Sequence, residues 1–480
     1  MSDAFTLRGE LPDVQGIVTR GYAELAGACF LLLTVVDAVT ARRWLRGLTI
    51  TTAAEKPTVR ALNIAFTYSG LRALGLAEDV AAGFSEEFID GMTAPQRQLA
   101  LGDTGDSDPA RWEWGGPTTD PVHVLLMLYA ADQAGLDAYC REMTSAFTQA
   151  GVRQAGRLHQ AIAHVDAKSG AVKEHFGFAD ALSQPFIEGL GKTAPDFLTV
   201  KTGEIILGYP NEYGKLTERP LLPPGATASV LPQDAATGAR DLGRNGTYLV
   251  FRHLDQDTCG FWQYLERATR DGAGVSTKDE RIRLASKMVG RWPSGAPLML
   301  APDRDAPETR GNNDFRYHDD DPGGLRCPLG SHIRRTNPRD SLGPDPGSDK
   351  SIAVNKRHQI LRRGRIFGTP VAASMDPDEI MHGDPAGERG LYFICLNANI
   401  SRQFEFVQHS WVNSPKFAGL YADPDPIIGV RSGEPCGDVF TVPADPVRRR
   451  VVGMPAFVTV RGGGYFFLPG VRALQYLTAE

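Results

Sequence analysis

Residues 324–339 read Gly-Leu-Arg-Cys-Pro-Leu-Gly-Ser-His-Ile-Arg-Arg-Thr-Asn-Pro-Arg. The only histidine of this stretch, His332, follows a Gly-Ser turn and precedes a cluster of arginines. A histidine placed in this way can offer a ring nitrogen to a metal, and the arginines can bind anionic groups nearby. Haem supplies both partners, because its iron takes an axial histidine and its propionates suit arginine side chains. Taken alone, however, such a stretch is more often a surface turn with a solvated basic run.

Two further stretches change this interpretation. Residues 177–185, Gly-Phe-Ala-Asp-Ala-Leu-Ser-Gln-Pro, form a loop punctuated by glycine and proline that holds one carboxylate, Asp180. Residues 361–368, Leu-Arg-Arg-Gly-Arg-Ile-Phe-Gly, form a second basic loop at the end of a short apolar run.

Together the three stretches resemble the dye-decolorizing peroxidase family of haem peroxidases, in particular its longer bacterial and fungal branch. That family has a GxxDG-type loop with a distal Asp, a proximal His in a segment like CP…SHIRKTNPR, and a distal Arg in a loop like RRGxxYG. The likeness continues in the expected order through residues 207–214, 246–252 and 390–393. It implies an enzyme that holds haem b and uses hydrogen peroxide to oxidise dyes, phenols or other aromatic reductants through a ferryl intermediate.

On the proximal side, the resemblance implies that His332 is the ligand of the haem iron. The other nitrogen of its ring should donate to a carboxylate, which makes the ligand more electron-rich. Asp423 and Asp425 are the candidates, and Asp425 is preferred, although both also fit ordinary turns beside proline. Leu391 and Phe393 alternate on one predicted strand and are expected to line the distal side of the haem, although they fit a plain core nearly as well.

On the distal side, the resemblance makes Asp180 the group that transfers a proton between the two oxygens of peroxide. Arg362 would stabilise the charge that develops on the leaving oxygen. Arg363 is the neighbouring alternative, and Arg362 is preferred because its distance from the end of the loop matches the family pattern. Arg339 is the best match for a propionate ligand, and Arg334 is the second.

The chain departs from the family pattern after Asp180, where Ala181 replaces a glycine. If this position requires a positive φ, alanine costs about 1–2 kcal/mol there, and the carboxylate can point differently. The sequence therefore predicts that Arg362 contributes more than Asp180 to the reaction with peroxide. Phe367 replaces a tyrosine of the family pattern, which is expected to be a mild change.

Other interpretations remain open at this point. The chain also fits another haem enzyme of the same superfamily, similar to chlorite dismutase or to a biosynthetic haem oxygenase, or a weakly active haem-binding protein. Asp180 favours the peroxidase, whereas Ala181 keeps the weakly active protein open. His175, His358 and His409 compete for the ligand role, but each fits better as a local hydrogen-bond partner. The sequence has no HExxH pair, no spaced Cys/His set and no GxGxxG, so zinc and nucleotide sites are not supported.

The composition is that of an ordinary globular protein of 480 residues with 42% hydrophobic and 22% charged residues. A net charge of -6 argues against nucleic acid as a partner. The longest apolar run, residues 28–36, is too short to span a bilayer, and residues 1–6 have no basic character typical of an export signal. We therefore predict a cytoplasmic protein without a membrane partner, and the sequence does not distinguish a monomer from a dimer.

The six scattered cysteines are predicted to be reduced thiols in or near the core. They are Cys29, Cys140, Cys259, Cys327, Cys395 and Cys436.

The order of apolar runs indicates the fold. Strands are predicted at residues 29–36, 61–68, 122–129 and 159–165, with a helix after the first and another at 132–143. This β-α-β-β-α-β order is the ferredoxin-like arrangement.

The second half of the chain repeats the plan. In the first half, Asp37 ends an apolar run and Trp44 lies seven residues later, and Asp255 and Trp262 have the same spacing. Each Asp is predicted to cap a helix. We therefore predict an α+β fold of two ferredoxin-like domains, the dimeric α+β barrel of the family, with antiparallel sheets and peripheral helices. Residues 1–220 would carry the distal Asp loop and residues 221–480 would hold most of the haem. The linker is predicted within residues 219–238.

Overall fold

The barrel strands of both halves of the chain join in one continuous antiparallel sheet that closes on itself. The computed structural model describes residues 7–163, 165–166, 170–191, 194–223, 228–372, 374–433 and 438–479. The barrel strands are β1 (Gly27–Val35), β2 (Arg60–Phe66), β3 (Val124–Ala130), β4 (Val152–Gly156), β5 (Ala161–Ile162), β6 (Thr247–Gln256), β7 (Leu361–Arg362), β8 (Arg365–Gly368), β9 (Arg389–Asn397) and β10 (Val458–Leu468).

Each half of the barrel has the ferredoxin-like strand order. In the first half β1 lies between β3 and β4, and β2 lies beside β3. In the second half β6 lies between β9 and β10, and β8 lies beside β9. The halves join where Phe66 of β2 pairs with Phe467 of β10 and where Ala161 of β5 pairs with Phe367 of β8. The duplicated α+β plan predicted from the sequence is thus confirmed.

Helices cover the outside of the barrel. The longer ones are α1 (Ala38–Arg46), α2 (Gln133–Ser145), α3 (Thr258–Ala268) and α4 (Lys278–Val289). Short helices lie at Leu7–Glu10, Gly16–Thr19, Tyr68–Ala73, Glu78–Ala81, Glu86–Asp90, Pro95–Leu101, Asp349–Lys356, Pro377–His382 and Val471–Leu477, and π-helical turns lie at Ser401–Glu405 and Val407–Val412. Short strand pairs outside the barrel lie at Phe186–Ile187 with Thr199–Val200, Leu221–Leu222 with Arg240–Asp241, and Phe440–Val442 with Arg449–Val451. No helix in the described part of the chain is long and apolar enough to cross a membrane.

Side chains fill the interior of the barrel. Phe30, Phe251 and Tyr392 meet there edge to face, with ring centroids 5.3–5.6 Å apart. Because side chains alternate along a strand, the neighbours of Tyr392 on β9, Leu391 and Phe393, face outward instead. Any large cavity must therefore lie between the outer face of the sheet and the elements that cover it.

Two details of the sequence prediction were wrong. The fourth strand is not residues 159–165 but β4, followed by the two residues of β5. β4 pairs with β1, and among its five residues only Val152 is buried while Arg153 and Gln154 are exposed, so its apolar signal is weak. In the second half, Asp257 caps α3 by accepting from Gly260 N at 2.9 Å. Asp255 instead lies in β6 and pairs with Arg461 at 2.7 Å, whereas Asp37 caps α1 as predicted.

Candidate active site

A cavity lies against the outer face of the second-half sheet. Its walls are largely apolar and include Leu254, Ile333, Ile360, Phe404, Val407 and Ile428. Leu391 and Phe393 also line it. Its polar side chains include three that the sequence singled out from distant motifs, namely Asp180, His332 and Arg362.

His332 is the first residue of a short helix, α5 (His332–Thr336), and is the only histidine that lines the cavity among the described residues. Its Nδ1 lies 2.9 Å from Oδ2 of Asp425. The other oxygen of Asp425 accepts from the backbone N–H groups of Ile427 and Ile428 at 2.8 and 3.0 Å. Burial raises the pKa of Asp425, but His332, the charge of Arg335 and the hydrogen bond from Ile428 outweigh it, so that the pKa is lowered. An ionised Asp425 fixes Nδ1 of His332 as a donor and leaves Nε2 with a free lone pair.

The sequence left two carboxylates open as the partner of His332, and the geometry separates them. Asp423 accepts a hydrogen bond from Thr441 N at 2.5 Å. The carboxylate that contacts Nδ1 of His332 is therefore that of Asp425 and not that of Asp423. Arg335 fixes this arrangement, because its buried guanidinium donates to the backbone carbonyls of Trp411 and Asp423. The helix that carries His332 is thereby tied to the segment that carries Asp425.

The two predicted propionate ligands lie in different places. Arg339 lines the cavity, with Nη1 donating to the carbonyls of Asn313 (2.6 Å) and Phe315 and the guanidinium stacked 3.8 Å from the Phe315 ring centroid. Burial lowers the pKa of Arg339. Arg334 does not line the cavity. Its guanidinium donates to Asp321 and to the carbonyl of Cys327 at 2.7–3.1 Å, which leaves it turned into the core.

Asp180 and Arg362 come together although 182 positions separate them, with Oδ1 and Nη1 4.0 Å apart. Nη2 of Arg362 donates to the carbonyl of Ser183 at 2.8 Å, so the arginine is held by the loop that carries the carboxylate. Arg363, the alternative, points to the opposite side of the strand and donates to the carbonyls of Ile17 and Val18 at 2.6 and 2.8 Å. Of Arg362 and Arg363, Arg362 is therefore the one available to a ligand in the cavity.

Ala181 has a φ of 59°, which is the left-handed conformation that glycine adopts easily. Its N–H donates to Oδ1 of Asp180 at 2.6 Å. The loop thus keeps the conformation that the family's glycine allows, and the Asp180 carboxylate still reaches the cavity. The alanine at this position therefore strains the backbone, but it does not displace Asp180.

Ala181→Gly should therefore stabilise the protein by about 0.5–1 kcal/mol, since the relief of left-handed strain exceeds the entropy that glycine adds to the unfolded chain. The free energy of unfolding in urea measures this. Ala179→Gly, in the same loop but without a positive φ, is the matched control and should lose stability. Equal losses in both variants would contradict the strain at Ala181.

The competing histidines have local partners, as predicted. Nε2 of His175 lies 2.7 Å from the carbonyl of Phe367, and Nδ1 of His358 lies 2.5 Å from that of Arg402. His409 is exposed.

Sequence reasoning missed Glu174. Its carboxylate lines the cavity and accepts from Phe176 N, Phe178 N and Gln256 Nε2 at 2.8–2.9 Å. Burial raises the pKa of Glu174 to about 7, and the nearby charge of Asp180 also raises it. The sequence feature that could have indicated Glu174 is its position in the same glycine-containing segment as Asp180.

The donor set of the cavity fits haem. The described residues contain no group of three or more His, Cys, Asp or Glu side chains that could hold a metal ion. A metal bound by His332 must therefore bring its other ligands with it, as haem iron does. Apolar walls suit a macrocycle, and Arg339 suits a propionate.

Comparisons with known proteins agree with this geometry. Residues 27–172 match the family described as the DyP dimeric alpha+beta barrel domain. The chain is 31% identical to a dye-decolorizing peroxidase of Exidia glandulosa, over 96% of this chain and 86% of that protein. It is 30% identical to a multifunctional dye peroxidase of an Amycolatopsis species, over 93% of this chain and 91% of that protein.

Solved structures are similar over nearly the whole chain. A dye-decolorizing peroxidase in complex with 2,6-dimethoxyphenol has a TM-score of 0.74 at 28% identity, covering 98% of this chain and 99% of that one. A fungal DyP-type peroxidase from Auricularia auricula-judae has a TM-score of 0.76 at 26% identity, with the same coverage. With a relative above 30% identity matched along most of both sequences, and with the same barrel, this chain belongs to the dye-decolorizing peroxidase family.

Proposed function

We propose that the protein is a peroxidase that holds haem b and uses hydrogen peroxide to oxidise dyes, phenols or other aromatic reductants. One observation carries this proposal: His332, whose Nδ1 contacts Asp425, lines the same cavity as Asp180 and Arg362. The relatives are named as peroxidases, and one of them binds 2,6-dimethoxyphenol. Neither the chlorite dismutase-like nor the haem oxygenase-like alternative is favoured by a feature of this cavity.

His332 would bind the iron through Nε2, while Asp425 holds Nδ1 and increases the electron density of the ring. Arg339 would bind a propionate, and Leu391 and Phe393 would cover the distal side and limit access of water. When bound, haem supplies the redox centre that passes electrons from the aromatic reductant to peroxide.

Asp180 would move the proton of peroxide. As a carboxylate, it would take a proton from one oxygen of hydrogen peroxide and return it to the other, which prepares that oxygen to leave as water, and bound haem would supply the electrons. Arg362 carries a fixed positive charge beside it and would stabilise the negative charge that develops on the leaving oxygen. The hydrogen bond to Ser183 keeps this charge in place before peroxide arrives.

The test of this function uses the haem-loaded protein with hydrogen peroxide and 2,6-dimethoxyphenol. We expect peroxide-dependent oxidation of the phenol at a rate well above that of free haem at the same concentration. One equivalent of peroxide should also change the Soret band of the protein. Firm haem binding without turnover would overturn the proposal in favour of the weakly active haem-binding protein.

Arg339→Ala should weaken haem affinity about tenfold or more, since a charge-assisted hydrogen bond contributes about 1.5–3 kcal/mol. The rate of haem transfer to an excess of apomyoglobin measures this. Arg339→Lys keeps the charge but loses the planar fork, so its loss should be intermediate. An unchanged transfer rate in Arg339→Ala would remove Arg339 from the proposed site.

The organisation of the chain remains a proposal in two respects. We place the boundary between the halves at residue 220, since it lies between β5 and β6. A cytoplasmic location is supported by the cysteines, because the five that the structure describes are unpaired, and Cys436 lies outside the described residues.

A further inference from the structure

Two cysteines face each other on the first-half side of the barrel. Cys29 lies on β1 and is buried, whereas Cys140 lies on α2 and is partly exposed. The two thiols are close enough for each to shift the pKa of the other, and neither forms a disulfide. Neither residue lines the cavity described above.

The backbone places the two residues in register. α2 comes close to β1 at Gly27, where an added Cβ would lie 3.4 Å from Cβ of Leu136. Cys29 lies two residues further along the strand and Cys140 four residues further along the helix, which are steps of about 6.7 and 6 Å on the same faces. Cys29 and Cys140 therefore form the next pair in the row that begins with Gly27 and Leu136. Cβ atoms joined by a disulfide lie about 3.5–4.5 Å apart, close to the 3.4 Å of that first pair.

The two sulfurs differ in reactivity. Nε2 of Gln160 approaches Sγ of Cys140 at 3.6 Å as a donor. The neighbouring Cys29 and this hydrogen bond lower the pKa of the Cys140 thiol, while the neighbouring Cys140 and burial raise that of Cys29. Cys140 is thus both the more accessible sulfur and the one that ionises more easily, as a thiol that attacks an oxidant must be.

We propose that Cys29 and Cys140 form a peroxide-reactive dithiol that closes to a disulfide between β1 and α2. The Cys140 thiolate attacks one oxygen of hydrogen peroxide, an S–O bond forms, the O–O bond breaks, and the released hydroxide takes up a proton to become water. The sulfur of Cys29 then attacks that of Cys140, the S–O bond breaks, and the departing hydroxide leaves as water with the Cys29 proton. Two thiols are oxidised by two electrons and one peroxide is reduced to two waters.

The oxidant is the one that the proposed function requires, but the reaction itself does not need haem. The disulfide would join residues 29 and 140 and close a long loop of the first half, which restricts the unfolded chain. The disulfide would thus stabilise the first half of the barrel when the peroxide concentration rises.

The test treats the reduced full-length protein, with and without haem, with a few equivalents of hydrogen peroxide. The protein is then alkylated in denaturant, digested without reductant and examined by mass spectrometry. We expect a linked peptide pair that contains Cys29 and Cys140, in both preparations, and a higher urea midpoint than that of the reduced protein. The haem-free protein should form the link as readily as the haem-loaded protein. A protein without peroxidase activity would therefore still show the linked peptides, so the two proposals can fail independently.

Variants separate the roles of the two cysteines. Cys140→Ser should abolish the linked pair, and Cys29→Ser should leave a Cys140 sulfenic acid that dimedone captures. Cys259→Ser removes a buried thiol that donates to the carbonyl of Ile380, and it should keep the linked pair as the matched control. The proposal is overturned if wild-type Cys140 remains fully alkylated after peroxide, or if it is oxidised further without any link to Cys29.

Discussion

His332→Ala should give a folded protein whose Soret band is lost or greatly reduced. His332 is the only histidine that lines the cavity among the described residues, and it is the proposed ligand of the iron. Its side chain is partly exposed to the cavity, so its removal should disturb the fold little. Reconstitution with haem followed by absorption spectroscopy measures the effect, with circular dichroism to verify folding.

His409→Ala is the matched control, because His409 is exposed and lies outside the cavity. It should keep the full Soret band. Added imidazole should partly restore the band in His332→Ala, since it can occupy the vacated position beside Asp425. A His332→Ala protein with full haem content and unchanged ligand spectra would refute the assignment.

Asp180→Asn should slow the reaction of the haem-loaded protein with peroxide by about 10²–10⁴-fold, the usual loss for a positioned acid–base group. Arg362→Leu should slow it by about 10²–10³-fold, the usual loss for one preorganised charge stabiliser. The sequence predicted the opposite ranking, on the assumption that Ala181 displaces the carboxylate. The left-handed φ of Ala181 removes that assumption, so we now expect Asp180→Asn to have the larger effect.

Stopped-flow mixing with peroxide decides the ranking. Both variants should keep their haem, so rates are compared at equal Soret absorbance. Asp106→Asn, a change to an exposed side chain, serves as the matched control and should react as the wild type does. A larger loss in Arg362→Leu would mean that the carboxylate is not the group that moves the proton.

The sequence singled out three residues that the structure brings into one cavity, namely His332, Asp180 and Arg362. Their motifs together resemble the family pattern, and this resemblance rather than any one stretch selected them. Arg334 shows the limit of this reasoning, because it shares the motif of His332 but is turned away by Asp321, and no pattern indicates that contact.

Glu174 and β4 were missed for related reasons. Burial raises the pKa of Glu174, and the hydrogen bond from Gln256, which lies 82 positions away, offsets only part of this shift. β4 is held by pairing to β1 rather than by an apolar face of its own. Both are consequences of tertiary contacts, which local sequence does not express.

The cavity takes its walls from widely separated parts of the chain, from Glu174 to Val458. β10, which ends at Leu468, must pair with β6 and meet β2 before the barrel is closed. During synthesis on the ribosome, His332 emerges well before β10 does. At that stage the part of the cavity wall that β10 supplies is not yet present. Domains of this kind, dominated by pairing between distant segments, also fold slowly. We therefore expect haem uptake to follow translation, so that a cell short of haem accumulates the complete apoprotein, ready to be loaded when the supply returns.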